Sequence, residues 1–299
     1  MADYTGESGS AFLRKEVVDA MVKQTARASY KFKQACAIVS TNAWKNSFYR
    51  EGTDVLSAGT RNAIKGIPRG ANFPQAVPNW QEVTVRILKH GLEANIPWED
   101  IISGDINIQA RTIIRLTEAV VKSVDDDIWD VLSQTLGTGT PTVIQSFALG
   151  TGTNGGNWDQ SSAAIVDNLM KASQLISTNG NYDVSNLICF VSPRDYRNIA
   201  KWVYDKGTQW DSLAEKIVLN GKVPGLAGMS FVESNSVTAS YALVVKPKTC
   251  ATFKELVSLR STTEVDPYRS TMIRVVEEGC VELTDPLAVV LIKNTQAAP

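Results

Sequence analysis

The chain has 299 residues, 43% hydrophobic and 20% charged, a composition that fits a folded protein with a sizeable core and excludes a disordered one. Its net charge of −1 provides no global field toward nucleic acid or membrane, and no apolar run is long enough to predict a membrane span. Locally the balance is uneven: Ala11 to Gly70 holds eleven Lys or Arg against four Asp or Glu, read either as a solvated surface or as an arm lying on an acidic neighbour or near a polyanion.

Met1–Ser10 is small and polar, which predicts a loose terminus. Phe12 to Ala28 predicts a short amphipathic helix with Phe12, Val17, Met21 and Val22 on one face and Ser10 as its cap. Cys36, Ile38 and Val39 predict a strand. Glu51 to Trp80 is rich in Gly and Pro and has no element of its own, which is out of place inside a compact domain. Such a segment makes sense as a projection ordered by another chain. Glu82 to Ile96 alternates as one strand, closed by Pro97.

Ile106 to Leu136 is the strongest helix signal. Asp105 can cap it, and Ile106, Ala110, Ile113, Val120, Val121, Val124, Ile128, Val131 and Leu132 form one stripe. At 1.5 Å per residue it is about 45 Å long, a spine for other elements, ended by Gly137 and Gly139. Ala163 to Ser177 predicts a second helix with Ile165, Leu169, Ala172 and Ile176 facing inward. Leu187 to Val191 predicts a strand that meets Ser192-Pro193 and a further helix. Met229–Glu233 and Tyr241–Val245 predict short strands. Two long antiparallel strands flank Asp266-Pro267-Tyr268-Arg269, a turn, and Asp285 to Asn294 predicts a final strand.

The candidate chemistry is thin. Gly150-Thr151-Gly152-Thr153-Asn154-Gly155 matches G-x-G-x-x-G, but a dinucleotide site needs a helix to start inside the motif, and here it starts near Ser161. A loop is the favoured reading, and a nucleotide-binding enzyme the alternative. His90, the only histidine, must serve any Ser-His-Asp or Cys-His site; a half-buried structural role is favoured. Asp125, Asp126 and Asp127 diverge by about 100° each on a helix and read as a solvated face. Cys36, Cys189, Cys250 and Cys280 lack metal-ligand spacing and read as free thiols, mostly buried, of a protein made in a reducing compartment. At the joint after Leu187–Val191, Ser192 is a cap, Pro193 a helix starter and Asp195 a partner for the positive helix end, while Cys189 is core. No G-x-S-x-G nucleophile elbow occurs. No catalytic residue, cofactor or metal is expected.

Three stretches carry a family resemblance: Leu92 to Leu132 (strand, spine helix and Asp-rich helix end), "LICFVSPRDYRNI" from Leu187, and "GKVPGLAGMSFVESNSV" from Gly221. In order and spacing, Phe12 to Asn294 resembles the major capsid proteins of tailed double-stranded DNA viruses. The resemblance implies an α+β Hong Kong 97-type capsid fold. Its parts would be an N-terminal arm (1–30), an extended β-hairpin loop (31–82), a peripheral domain with a spine helix (83–136), an axial α/β domain (137–250) and peripheral return strands (251–299). It implies a non-enzymatic shell protein of a bacteriophage virion, assembling with itself as pentamers and hexamers into an icosahedral shell around double-stranded DNA. Implied partners are portal and scaffold proteins, a decoration protein and, nonspecifically, packaged DNA; no membrane is involved, and synthesis would be in the host cytoplasm. The shell of a protein nanocompartment (encapsulin-like) and a tail-tube protein are the rival structural readings.

Apolar side chains on projecting segments are costly in water and stable when buried between subunits. Trp44, Phe48, Tyr49, Ile64, Ile67, Phe73 and Trp80 are therefore expected at subunit interfaces; the resemblance implies that Asp266, Pro267, Tyr268 and Arg269 lie where capsomers meet, as the fold's peripheral hairpin does.

Overall fold

The computed structural model describes residues 15–51, 65–72, 80–97, 99, 106–137, 144–150, 155–206, 215, 217, 219, 221–223, 225–266 and 269–297. Ser10, Phe12, Asp105, Gly139, Ile64, Phe73, Pro267 and Tyr268 lie outside these residues. Four helices are described: α1 (Lys15–Ser29), α2 (Ile106–Gly137), α3 (Ile165–Gly180) and α4 (Pro193–Asp205). The strands are β1 (Ala37–Ser40), β2 (Lys45–Glu51), β3 (Trp80–Arg86), β4 (Leu88–Pro97), β5 (Gln145–Ala148), β6 (Leu187–Val191), β7 (Met229–Glu233), β8 (Tyr241–Val245), β9 (Thr252–Asp266), β10 (Ser270–Glu282) and β11 (Val289–Lys293).

They form three sheets: β1-β9-β10-β4, β5-β11-β8-β6-β7 and the hairpin β2-β3. In the five-stranded sheet β6, β8 and β11 each serve two cores. Cys189, Val191, Ala242, Val244, Val290 and Ile292 face α3 and α4. Phe190, Leu243, Val245, Val289 and Leu291 face the opposite core, with Phe32 and the second half of α2. Burial on both faces is why β6, β8 and β11 read as continuous apolar runs rather than as alternation.

The 32 residues of α2 make a rod about 48 Å long. Its first half places Ile113, Leu116, Val120 and Val121 on the four-stranded sheet, against Ile273 and Val275. Its second half places Val124, Ile128, Trp129 and Leu132 under the five-stranded sheet. The expected stripe is thus buried from Ile113 onward, against two sheets in succession. In α1 the buried residues are Val18, Val22 and Ala26, one turn apart, with Met21 partly buried beside them.

Several expectations are corrected in detail. The single strand expected over Glu82 to Ile96 is two strands in different sheets. Buried Ile87 separates them, and its N–H donates to Trp44 O at 3.1 Å. The covered positions are odd up to Ile87 (Val83, Val85, Ile87) and even beyond it (His90, Ala94, Ile96), a one-residue change of phase that a single-strand reading passes over. The final strand begins only at Val289, because Asp285 Oδ1 accepts Leu287 N–H at 2.8 Å and caps a 3-10 turn over Pro286–Ala288. That strand, β11, lies inside the five-stranded sheet, and β1 lies in the four-stranded sheet.

Candidate assembly surfaces

The β2–β3 hairpin pairs in register from Lys45↔Arg86 to Glu51↔Trp80. On one face Asn46, Phe48, Val83 and Val85 are half-buried, while Tyr49 on the other is 62% exposed and Trp44 at its base also 62%. The buried side is tied down by polar contacts. Thr41 Oγ1 donates to Asn46 Oδ1 at 3.0 Å, Asn46 Nδ2 reaches Cys280 Sγ at 3.8 Å, and Arg50 Nε donates to Leu283 O at 3.3 Å. Ile67 is half-buried in the short described piece 65–72. At the far end of β9–β10, Asp266 and Arg269 are both exposed, with Arg269 N–H donating to Asp266 O at 3.4 Å. Two aromatics on a pinned hairpin and a polar tip on a long ribbon are thus exposed in the single chain. Sequence reasoning did not single out Ile38, Leu88 and Leu92 as surface residues, yet they are 56%, 52% and 48% exposed. Nothing in an apolar strand pattern distinguishes an uncovered edge from a buried one.

The polar residues weighed for catalysis have structural partners. Cys189 is fully buried, and burial pushes its thiol well above the ordinary range, away from the reactive thiolate. Ser192 caps α4, its Oγ accepting Asp195 N–H at 3.2 Å. Asp195 does more than face the helix end. It is buried, and its Oδ2 accepts from Ser192 Oγ at 2.9 Å and from Thr295 Oγ1 at 2.9 Å. The network fastens the chain after β11 to α4. His90 stands between two residues of α2, with Nδ1 3.0 Å from Ser123 Oγ and Nε2 3.2 Å from Asp127 Oδ2. The trio has the residue types of a hydrolase site, but Ser123 is mid-helix, where neighbouring N–H groups are spent on the helix and none is free as an oxyanion donor. It is a clamp between β4 and α2. Gly150 N–H bonds Gly155 O at 3.1 Å, and α3 starts ten positions after Gly155, so the helix does not begin inside the motif. Among the described residues, no group of three His, Cys, Asp or Glu is placed to hold a metal, and no helix is long and apolar enough to cross a membrane.

The reading of the Asp run as a solvated face is corrected for Asp125, which is 3% exposed. Its Oδ2 accepts Lys31 N–H at 2.8 Å and its Oδ1 accepts Phe32 N–H at 3.2 Å, holding the turn between α1 and β1. One residue on, Lys33 Nζ is 2.5 Å from Glu277 Oε1 and 3.1 Å from Glu255 Oε1, over the rings of Phe253 and Tyr30. Tyr30 OH donates to Glu277 Oε2. Three carboxylates on α2, β9 and β10 thus fix the segment that joins the N-terminal helix to the body.

Burial pushes the Asp125 carboxyl up to about 6, against the opposing pull of the Lys31 and Phe32 amides. The folded state therefore holds this proton at a higher pH than the unfolded chain does. This contribution to stability is largest below the unfolded value near 3.8 and is lost as pH rises through about 6. Urea unfolding from pH 7 down to pH 5 should show the wild type gaining stability relative to Asp125→Asn, which keeps an acceptor but cannot titrate. Parallel pH profiles for the two proteins would refute this assignment.

A sequence profile described as a phage capsid protein family matches residues 81–292. No curated protein sequence matches. Among solved structures, the chain is similar to the capsid of the cyanophage P-SCSP1u, at TM-score 0.64 and 13% identity over 88% of each chain. It is similar to the mature capsid of bacteriophage PhiM1, at TM-score 0.62 and 14% identity over 90% of this chain and 88% of that one. A virus-like particle from Pyrococcus furiosus superposes at TM-score 0.59 and 12% identity, over 93% and 98%.

Proposed function

This chain belongs to the phage capsid protein family, and from that premise we propose that it assembles as pentamers and hexamers into an icosahedral shell enclosing double-stranded DNA. It is a structural shell protein with the Hong Kong 97-type fold. The family match over residues 81–292 carries this reading. The exposed Trp44 and Tyr49 on an anchored hairpin support it, because large aromatics left in water on a projection favour burial in an interface.

In this reading the four-stranded sheet with α1 and the first half of α2 is the peripheral domain. The five-stranded sheet with α3 and α4 is the axial domain. Residues 31–82 beyond β1 form the extended loop that overlaps a neighbour through Trp44, Phe48, Tyr49, Ile64, Ile67, Phe73 and Trp80. The Asp266–Arg269 tip meets another capsomer. Portal, scaffold and decoration proteins would be its further partners, and the basic stretch from Ala11 to Gly70 would lie near neighbours or packaged DNA, through salt-sensitive contacts. Synthesis in the host cytoplasm and the lack of an enzymatic role belong to the same reading.

Negative-stain microscopy of the expressed protein tests it. Closed shells that co-purify with nuclease-resistant DNA in infected cells are expected. A chain that remains monomeric or dimeric under all assembly conditions, or shells that hold an enzyme in place of DNA, would overturn it.

A further inference from the structure

β1 is an edge strand whose only described partner is β9. Ala37 N–H donates to Ala251 O at 2.9 Å and Thr41 N–H to Glu255 O at 2.9 Å. Strand alternation then turns the N–H and C=O groups of Ile38 and Ser40 away from the sheet. Ile38 is 56% exposed and Val39 42%, and successive side chains point to opposite faces, so the described residues cover neither face of the strand.

Edges of native sheets are blunted by charge, proline, a bulge or a covering element. Ala37-Ile38-Val39-Ser40 has no charge or proline, and its pairing with β9 is regular. The other outer strands of the two larger sheets differ. β4 carries Lys89 and Glu93, ion-paired to Glu278 and Arg274, and ends on Pro97. β5 has Lys171 over the Phe147 ring and Gln145 bonded to Leu287 O. β7 ends on the charged Glu233. Beside β1 runs a groove of about 550 Å³, lined by Ala26, Tyr30, Ile38 and Leu259, with Lys23 and Glu255 along it.

We propose that β1 is a strand-addition site for a second copy of this chain. An extended segment of the neighbouring subunit bonds to the outward N–H and C=O groups of Ile38 and Ser40 and sets an apolar side chain into the groove. The inference rests on the shell-subunit reading above, since a shell protein meets its own copies on every side. The occupant must present a row of main-chain donors and acceptors, which a polypeptide has and DNA lacks. An edge of four residues gives few hydrogen bonds per copy, so the contact is weak singly and strong when repeated around a closed shell.

Two variants and one exchange measurement test the proposal. Ser40→Pro removes one outward N–H and no bond to β9, and Ile38→Lys places a charge on the bare edge. Both should keep the circular dichroism and unfolding midpoint of the unassembled chain. Both should raise the concentration needed for capsomers or particles by at least about tenfold. In wild-type particles, hydrogen exchange at the Ile38 and Ser40 amides should slow by about tenfold or more against the unassembled chain. Particles that form at the wild-type concentration from both variants, with those amides unprotected, overturn strand addition and leave the shell reading intact. Protection that arises only on adding DNA or another protein also overturns it. A wild-type chain that never associates overturns both readings.

Discussion

Replacing Glu277 by alanine is expected to lower the unfolding free energy by about 3–5 kcal/mol, a large share of the 5–15 kcal/mol typical of folded domains. Glu277 is completely buried, and so nearly is its partner Lys33, at 8% exposure. Removing the carboxylate leaves the ammonium with Glu255 at 3.1 Å and two aromatic faces, and leaves the Tyr30 hydroxyl without its acceptor. The cost comes mainly from the charge and the donor left behind in a dry site, not from the lost attraction alone. Urea unfolding of the unassembled chain measures it. Lys33→Met combined with Glu277→Leu removes the stranded ammonium and should recover that part of the loss, while the Tyr30 hydroxyl still lacks its acceptor. A Glu277→Ala protein with the wild-type midpoint would mean that water reaches Lys33 freely.

The second large effect is expected at Gly279, where a methyl group should cost about 3 kcal/mol through overpacking. A Cβ there would sit 2.5 Å from Phe253 Cζ and 2.9 Å from Lys254 O. Phe253 is 1% exposed and lies under Lys33, so the ring cannot swing aside without disturbing the charged junction. The local backbone is also irregular: the β9–β10 register shifts between Val276 and Glu278 and again between Glu278 and Gly279. Gly279→Ala should therefore lower the unfolding midpoint, and Phe253→Leu in the same chain should restore part of it. An unchanged midpoint for Gly279→Ala would show that the strand relaxes without cost.

Much of this architecture was legible because local chemistry and tertiary packing agree. The stripe of α2 holds its period over about seven turns, and the Ser192-Pro193 joint carries its own start signal, so both are found within a residue of where they were expected. The illegible features are set by distant partners. Asp125 looks like a member of a charged run until Lys31 and Phe32, more than ninety positions away in sequence, supply its donors. β3 and β4 belong to different sheets, and the one-residue change of phase after Ile87 is the only local trace of it. Of the exposed apolar residues, Trp44 and Tyr49 could be named from size and context, since a large aromatic outside any buried period stands out. Ile38 and Leu92 could not, because exposure of an apolar strand residue depends on what fails to cover it.

The helix that serves two cores has a mechanical consequence. α2 is a beam clamped at both ends, by Ile113, Leu116 and Val120 in one sheet and by Val124, Ile128 and Leu132 beneath the other. A tilt of one sheet against the other must therefore bend or shift α2, because one continuous helix is packed into both cores. The two clamps meet between Val121 and Val124, less than one helical turn apart, so that is where such a tilt would act on the helix.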